Sequence, residues 1–378
     1  VKPRQAMLTA RRINILQPTL RSLLKALPDR PAAFDDVIGR LARQNDPGFW
    51  RDLVELAGHH GVLGVVGREL TRHSALLTQV REMTERRLAV DALWQSHLME
   101  GLETAIGALA DVGIEACPLK GPVLAARLYP ASVIRSCQDI DLLVRPQHFD
   151  RAVHALKRVG YGTQTGASAE YLRAHSHHLS LSRAGMAPIE LHFRAYAGFG
   201  VVLSSDFLLD RAKPFELTPT LSVLTPSPED ECLYLAAHAA GHSFIRLVWL
   251  YDLKLLLRLH PSLDWERIAH NAAALGLATA VGYTTRLLRD WLGVSLESLP
   301  ARFDDRSVRA VIADRLLLDV SRPQPVSVVD NLGGLCFTSL LCDRMASSAW
   351  LLQHHLLRST RRRLKHVAPD YLPERWSA

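Results

Sequence analysis

Asp139 and Asp141 are separated only by Ile140 and lead into the apolar run Leu142-Leu143-Val144. A strand alternates its side chains, so the two carboxylates project from one face. Most Asp-x-Asp pairs are solvated or cap a helix. This pair lies inside an apolar strand, where bare acids are unfavourable unless cations sit between them. Mg²⁺ takes hard oxygen ligands, commonly one or two carboxylates plus substrate phosphates, and Mn²⁺ is the substitute. Two such ions roughly 3.5–4 Å apart can activate an attacking hydroxyl and stabilise a leaving pyrophosphate. The chemistry commonly needs a third carboxylate from a neighbouring strand. Glu190, in Ile189-Glu190-Leu191-His192, alternates with apolar residues and is the candidate.

Upstream, Lys120-Gly121 follows a short strand and opens a helix. Backbone N–H groups at such a turn favour phosphate, and Lys120 adds a cation. The alternative is an ordinary strand-to-helix turn with a surface lysine. Other chemistries find less support. The chain has no Gly-x-x-x-x-Gly-Lys-Ser/Thr loop and no Gly-x-Ser-x-Gly elbow. Gly58, Gly61, Gly64 and Gly67 recur every third residue without a leading strand. They predict a helix packed closely against a neighbour, not a dinucleotide fingerprint. His175, His177 and His178 read as a chance polar cluster.

The elements that must position these residues form an α+β pattern. Residues 1–112 read as helical, with apolar positions at helical spacing in 49–56 and 82–98. Residues 113–227 read as a small mixed α/β core. It has strands over 114–119 and 139–144, a helix over 123–129 and another over 146–159. Two further strands, 177–183 and 188–193, join around Gly185. Residues 228–378 turn helical again, with one long helix over 229–259 stopped by Pro261. Helices over 264–275 and 279–292 follow, and one or two more over 329–357. On a continuous 229–259 helix, His238, His242, Trp249 and Asp252 fall near one face with Arg246 at its edge. They would line a pocket or simply pack on the core. The two histidines have zinc spacing, but no Glu stands between them for a metalloprotease.

The composition, 48% apolar and 22% charged, is that of a globular chain able to bury a core without disulfides. The net charge of +7 favours anionic ligands such as nucleoside triphosphates; nucleic acid is not the favoured partner. Two basic stretches, Lys2 to Lys25 and Arg358 to Lys365, read as solvated faces or a tail. The five cysteines lack zinc spacing and suggest a reducing cytoplasm. No apolar run reaches membrane-span length, and no secretory leader is expected.

Taken together, the residues resemble the polymerase-β-type nucleotidyltransferase superfamily. Within it they are similar to a poorly characterised bacterial group often found beside peptide-modification or polysaccharide genes. The resemblance rests on Leu119-Lys120-Gly121, Leu128-Tyr129, Arg135, Asp139 through Val144, Leu156 through Gly160-Tyr161, and Ile189 through His192. It covers roughly residues 90–275. It implies that Asp139, Asp141 and Glu190 bind two Mg²⁺ ions, with Glu190 also the base. Lys120 and Gly121 would contact phosphates. Arg135 would either neutralise triphosphate charge or pair with an acid. His238, His242 and Asp252, in a segment where the family often carries two His, a Trp and an Asp, would line the nucleotide or acceptor pocket. Two departures stand out. Pro122 follows Gly121 where Ser or Gly is usual, and Glu190 stands where Asp is commoner. The expected activity is transfer of a nucleoside monophosphate from an NTP to a small molecule, peptide or protein. The alternatives are a toxin-like enzyme acting on RNA or protein and a noncatalytic nucleotide-binding module of the same fold.

Overall fold

A computed structural model describes residues 10–42, 46–73, 76–163, 176–295, 303, 308–320, 331–344 and 346–349. His175, the Arg358–Lys365 stretch, residues 1–9 and parts of the 329–357 segment lie outside the described residues. The N-terminal region is helical as expected: α1 (Ala10–Ala26), α2 (Pro31–Ala42), α3 (Pro47–His59), α4 (Leu63–Arg72) and the long α5 (Thr78–Ala110). Asp46 caps α3 through its side chain to the Gly48 amide, with Pro47 in the first turn.

The glycine series does not form one helix. Gly61 has φ +70° and separates α3 from α4. The close packing expected of the series is tightest at Gly64. A Cβ there would stand 1.8 Å from the Ile134 carbonyl oxygen. The backbone leading to Asp139 therefore rests directly on α4. Gly64→Ala is expected to destabilise the fold by about 3 kcal/mol, because backbone cannot yield as a side chain can. Gly107→Ala, with nothing within 4 Å of its added methyl, should be neutral or slightly stabilising. Urea midpoints compare the two, and equal midpoints would refute the contact.

The core sheet has five strands: β1 (Cys117–Pro118), β2 (Ile140–Leu143), β3 (Gly162–Thr163), β4 (His178–Ser182) and β5 (Ile189–His192). Their spatial order is β1-β2-β5-β4-β3, with β2 and β5 parallel and the other pairs antiparallel. Helices α6 (Pro122–Leu128) and α7 (Phe149–Arg158) connect them, α7 after a 3₁₀ turn at Pro146–His148. The strand expected over 114–119 is reduced to two paired residues. One sheet face is apolar. Ile140, Leu142, Ile189 and Leu191 pack there with Leu98, Leu102 and Leu109 of α5 and Leu156 of α7. Gly101 lets α5 approach closely, since a Cβ would meet Ile140 Cδ1 at 2.9 Å. The alternate residues face the other way and carry the acids.

Residues 194–225, to which periodicity assigned no element, form two hairpins around a short helix: β6 (Arg194–Gly198) with β7 (Val201–Ser204), α8 (Ser205–Leu209), and β8 (Lys213–Thr218) with β9 (Leu221–Thr225). Then come α9 (Pro228–Gly241), α10 (Leu247–Leu259), α11 (Trp265–Leu275), α12 (Ala278–Leu292), α13 (Val308–Val320) and α14 (Asn331–Leu340). The single helix expected over 229–259 is thus two. Gly241 ends the first, and Ser243 and Phe244 turn through the left-handed region at φ 52° and 51°. The Phe244 amide bonds back to the Ala239 carbonyl, closing the helix end.

The N-terminal and C-terminal helices share one apolar core, from Leu16 and Leu20 of α1 to Leu287 and Leu288 of α12. Buried Lys254 of α10 ties them. Its Nζ donates to the carbonyls of Leu24 (3.0 Å), Lys25 (3.1 Å) and Leu292 (3.2 Å), which the ends of α1 and α12 leave unpaired. His60 makes a second tie. Its Nδ1 lies 3.0 Å from the Ile245 carbonyl, and its Nε2 is buried without a partner among the described residues. Burial first, then His59, pushes its pKa down to about 3. The unfolded chain, with His near 6.5, binds the proton first. Stability should therefore fall as pH drops from 6.5 toward 3, by about 2 kcal/mol at pH 5. His60→Gln should flatten that slope in urea titrations at pH 7 and 5; an unchanged slope would refute the assignment.

Candidate active site

The site stands on the polar face of the sheet. Parallel pairing sets Asp141 directly opposite Glu190, so the second and third acids share a face because of strand register. Asp139 immediately precedes β2 on the same side. Gly121, with φ +67°, occupies a conformation that favours glycine and starts α6. This turn brings Lys120 over the acids. Its Nζ lies 3.1 Å from Asp141 Oδ2 and 3.4 Å from His238 Nε2. On the other side His192 Nε2 lies 3.1 Å from Asp141 Oδ1 and 3.7 Å from Glu190 Oε2. Lys120, Asp139, Asp141 and Glu190, with Arg246 and Trp249, line a cavity of about 170 Å³.

These contacts separate the acids electrostatically. Burial alone would raise Asp141, but Lys120 and His192 outweigh it and hold its carboxyl below the usual range. Asp139 has the opposite balance. Burial, then the charge of Asp141, pushes it up to about 6, only partly offset by Lys120. The nearby His192 imidazole, 3.7 Å away, lowers Glu190 against its burial. Burial works against a charge on His192, yet the adjacent Asp141 and Glu190 carboxylates prevail and raise its pKa. Burial, then Lys120, keeps His238 neutral, so its Nε2 can accept from the Lys120 ammonium.

Arg135 and Asp252 hold each other. Arg135 Nε and Nη2 donate to the two Asp252 oxygens at 2.8 and 2.6 Å, and the Tyr129 hydroxyl donates to Oδ1 at 2.6 Å. Asp252 is fully buried. Both its oxygens are spent, so its part is to anchor Arg135 and not to meet a ligand. Arg135 lies along the cavity wall with its charge already paired. The Trp94 indole N–H donates to the Cys137 carbonyl at 3.0 Å and braces the same loop.

His238, His242 and Trp249 do converge, with ring centroids 4.6 to 5.2 Å apart. The turn between α9 and α10 brings them together, not a common helix face. Neither histidine belongs to a group of three metal-ligating side chains among the described residues. Two residues carry more than the sequence reading assigned. His192 bridges Asp141 and Glu190; strand alternation already places it on the face of Glu190. Arg246 lines the cavity, and its buried Nε has no hydrogen-bond partner among the described residues. His177 and His178, which read as a chance polar cluster in the sequence, stand beside His192.

Among the described residues, ligand atoms of Asp141, Glu190 and His192 lie within 4.8 Å of one another, a set able to hold a divalent ion; Asp139 is outside that set. Comparison with curated proteins gives no match. A model of the uncharacterised nucleotidyltransferase family matches residues 46–293, which takes in the N-terminal helices from α3, the whole sheet and the helices through α12. The chain belongs to this family and is a nucleotidyltransferase.

Proposed function

We propose that this enzyme moves a nucleoside monophosphate from an NTP to an acceptor hydroxyl or phosphate, with Mg²⁺ held by Asp139, Asp141 and Glu190. The reading is carried by the register that sets Asp141 opposite Glu190 beneath Lys120. The donor set fits a cation. Three acids crowd one small cavity, and Asp139 is pushed up to about 6 largely by burial and its neighbours' charge, which a divalent ion would reverse. When bound, such an ion offsets the charge of the triphosphate and of the attacking oxygen.

The side chains have separate tasks. Lys120 and Arg246 bind triphosphate oxygens. Arg246 replaces Arg135 in this role because Arg135 is already neutralised by Asp252. The acceptor oxygen attacks the α-phosphorus, the bond to the bridging oxygen breaks, and pyrophosphate leaves with its electron pair. Glu190, half-buried at the cavity edge, takes the acceptor proton. His192 holds Asp141 in place. The five cysteines are all free, which suits a reducing cytoplasm, and none of the described helices is long and apolar enough to cross a membrane.

The test is incubation with each labelled NTP and candidate acceptors, with pyrophosphate release as the readout. Release should require Mg²⁺, stop with EDTA and be lost in Asp139→Ala. Release that survives EDTA or Asp139→Ala would remove the metal assignment. Arg246→Gln should raise KM for NTP about 10–100-fold, the worth of one charge-assisted hydrogen bond. An unchanged KM would exclude Arg246 from triphosphate binding.

A further inference from the structure

Beside the carboxylates lies a second group of ligands that nucleotidyl transfer does not call for. The antiparallel pairing of β4 and β5 sets His178 opposite His192, so their imidazoles share the polar face. His177 would point to the other face of a regular strand. It precedes the ladder, however, and its carbonyl accepts from the amides of both Phe193 (3.1 Å) and Arg194 (3.3 Å). Its ring therefore returns to the same cluster. The centroids stand 4.5 Å apart for His177 and His178, 5.4 Å for His177 and His192, and 5.0 Å for His178 and His192. One ring nitrogen from each lies within 4.8 Å of the other two.

We propose that His177, His178 and His192 form a binding site for a borderline transition-metal ion of the Zn²⁺ or Co²⁺ type. Three imidazoles suit such ions, whereas Mg²⁺ prefers oxygen. The surroundings match what metal-binding histidines require. Carboxylates stand behind two of the rings: His192 Nε2 is 3.1 Å from Asp141, and His178 Nε2 is 3.6 Å from Glu190. Carboxylates in that position hold the ring proton on Nε2 and orient the ring. The Nδ1 atoms of both His178 and His192 are buried without a hydrogen-bond partner among the described residues. His192 itself is 3% exposed, so water does not readily substitute. The site goes beyond the Mg²⁺ reading and shares only His192 with the group that holds Asp141.

The probe is Co²⁺ alone, added to chelator-stripped full-length protein without nucleotide, in a Cys336→Ser background that removes the exposed thiol. One equivalent should bind and give visible ligand-field absorption that excess Mg²⁺ does not displace. His177→Gln and His178→Gln should each weaken Co²⁺ binding at least about 10-fold, with circular dichroism reporting an intact fold. Asp139→Asn, expected to lose turnover, should keep the spectrum, so failure of the transfer reading and failure of this site are separable. No Co²⁺ absorption in the parent, displacement by Mg²⁺, or unchanged affinity in both histidine variants would overturn the proposal.

Discussion

Asp141→Asn is expected to lower kcat for nucleotidyl transfer by at least about 10³-fold, because it removes the charge about which the site is assembled. Asparagine keeps the shape of the side chain. It cannot balance the Lys120 ammonium and the His192 Nε2 that converge on the carboxylate at 3.1 Å each. Asp141 is 2% exposed, so water does not replace the lost anion. A stability loss of about 3 kcal/mol should accompany the loss of rate. Linkage gives that loss a pH dependence. The folded carboxyl lies below its unfolded value, so its contribution is present above about pH 4 and disappears as pH falls through the folded value. Asp139→Asn separates the two effects. Asp139 is pushed up to about 6 by burial and by Asp141, so neutralising it should abolish turnover with little stability loss. Pyrophosphate release and urea unfolding, measured on both variants, decide the matter. Near-parental release by Asp141→Asn would end the assignment of this cavity as the active site.

Arg135→Met should be the most destabilising single change near the site, by about 3–5 kcal/mol. The guanidinium and Asp252 are 3% and 0% exposed, and their two hydrogen bonds are short and parallel. Removing Arg135 leaves a buried carboxylate with the Tyr129 hydroxyl as its one side-chain partner among the described residues. A fall of roughly 4–6 °C in melting temperature is expected for a chain of this size. The double variant Arg135→Met with Asp252→Leu should recover most of it, since two apolar groups can replace a buried ion pair at little cost. If the double variant is no more stable than Arg135→Met, the pair is not the source of the loss. Turnover should fall as well. Arg135 tethers the loop that enters β2 at Ile140, and α4 holds the adjacent residue through Gly64 and the Ile134 carbonyl.

The acids were legible in the sequence because strand alternation is local. A period of two places Asp139 with Asp141 and Glu190 with His192 before any partner strand is known. The Lys120-Gly121 turn was legible for a similar reason, because a glycine between a strand and a helix marks a left-handed backbone position. The hairpins of residues 194–225 carried no comparable signal. Their strands bury few side chains, and neither hairpin belongs to the main sheet. The break after Gly241 was hidden by apolar residues on both sides, which read as one helix although Ser243 and Phe244 turn the chain.

Local periodicity establishes the α+β pattern, the face shared by the acids and the chemistry those acids could support. Long-range packing selects which charges are free to meet a ligand. Arg135 and Asp252 are 117 residues apart and were both candidates for the pocket, yet packing α10 against the Arg135 loop joins them and leaves Arg246 to face the cavity beside Lys120. The same holds for the three histidines, which strand register and the irregular end of β4 bring together. A local period predicts which face a side chain occupies; which partner neutralises it depends on contacts between distant segments, and those form only when the core closes.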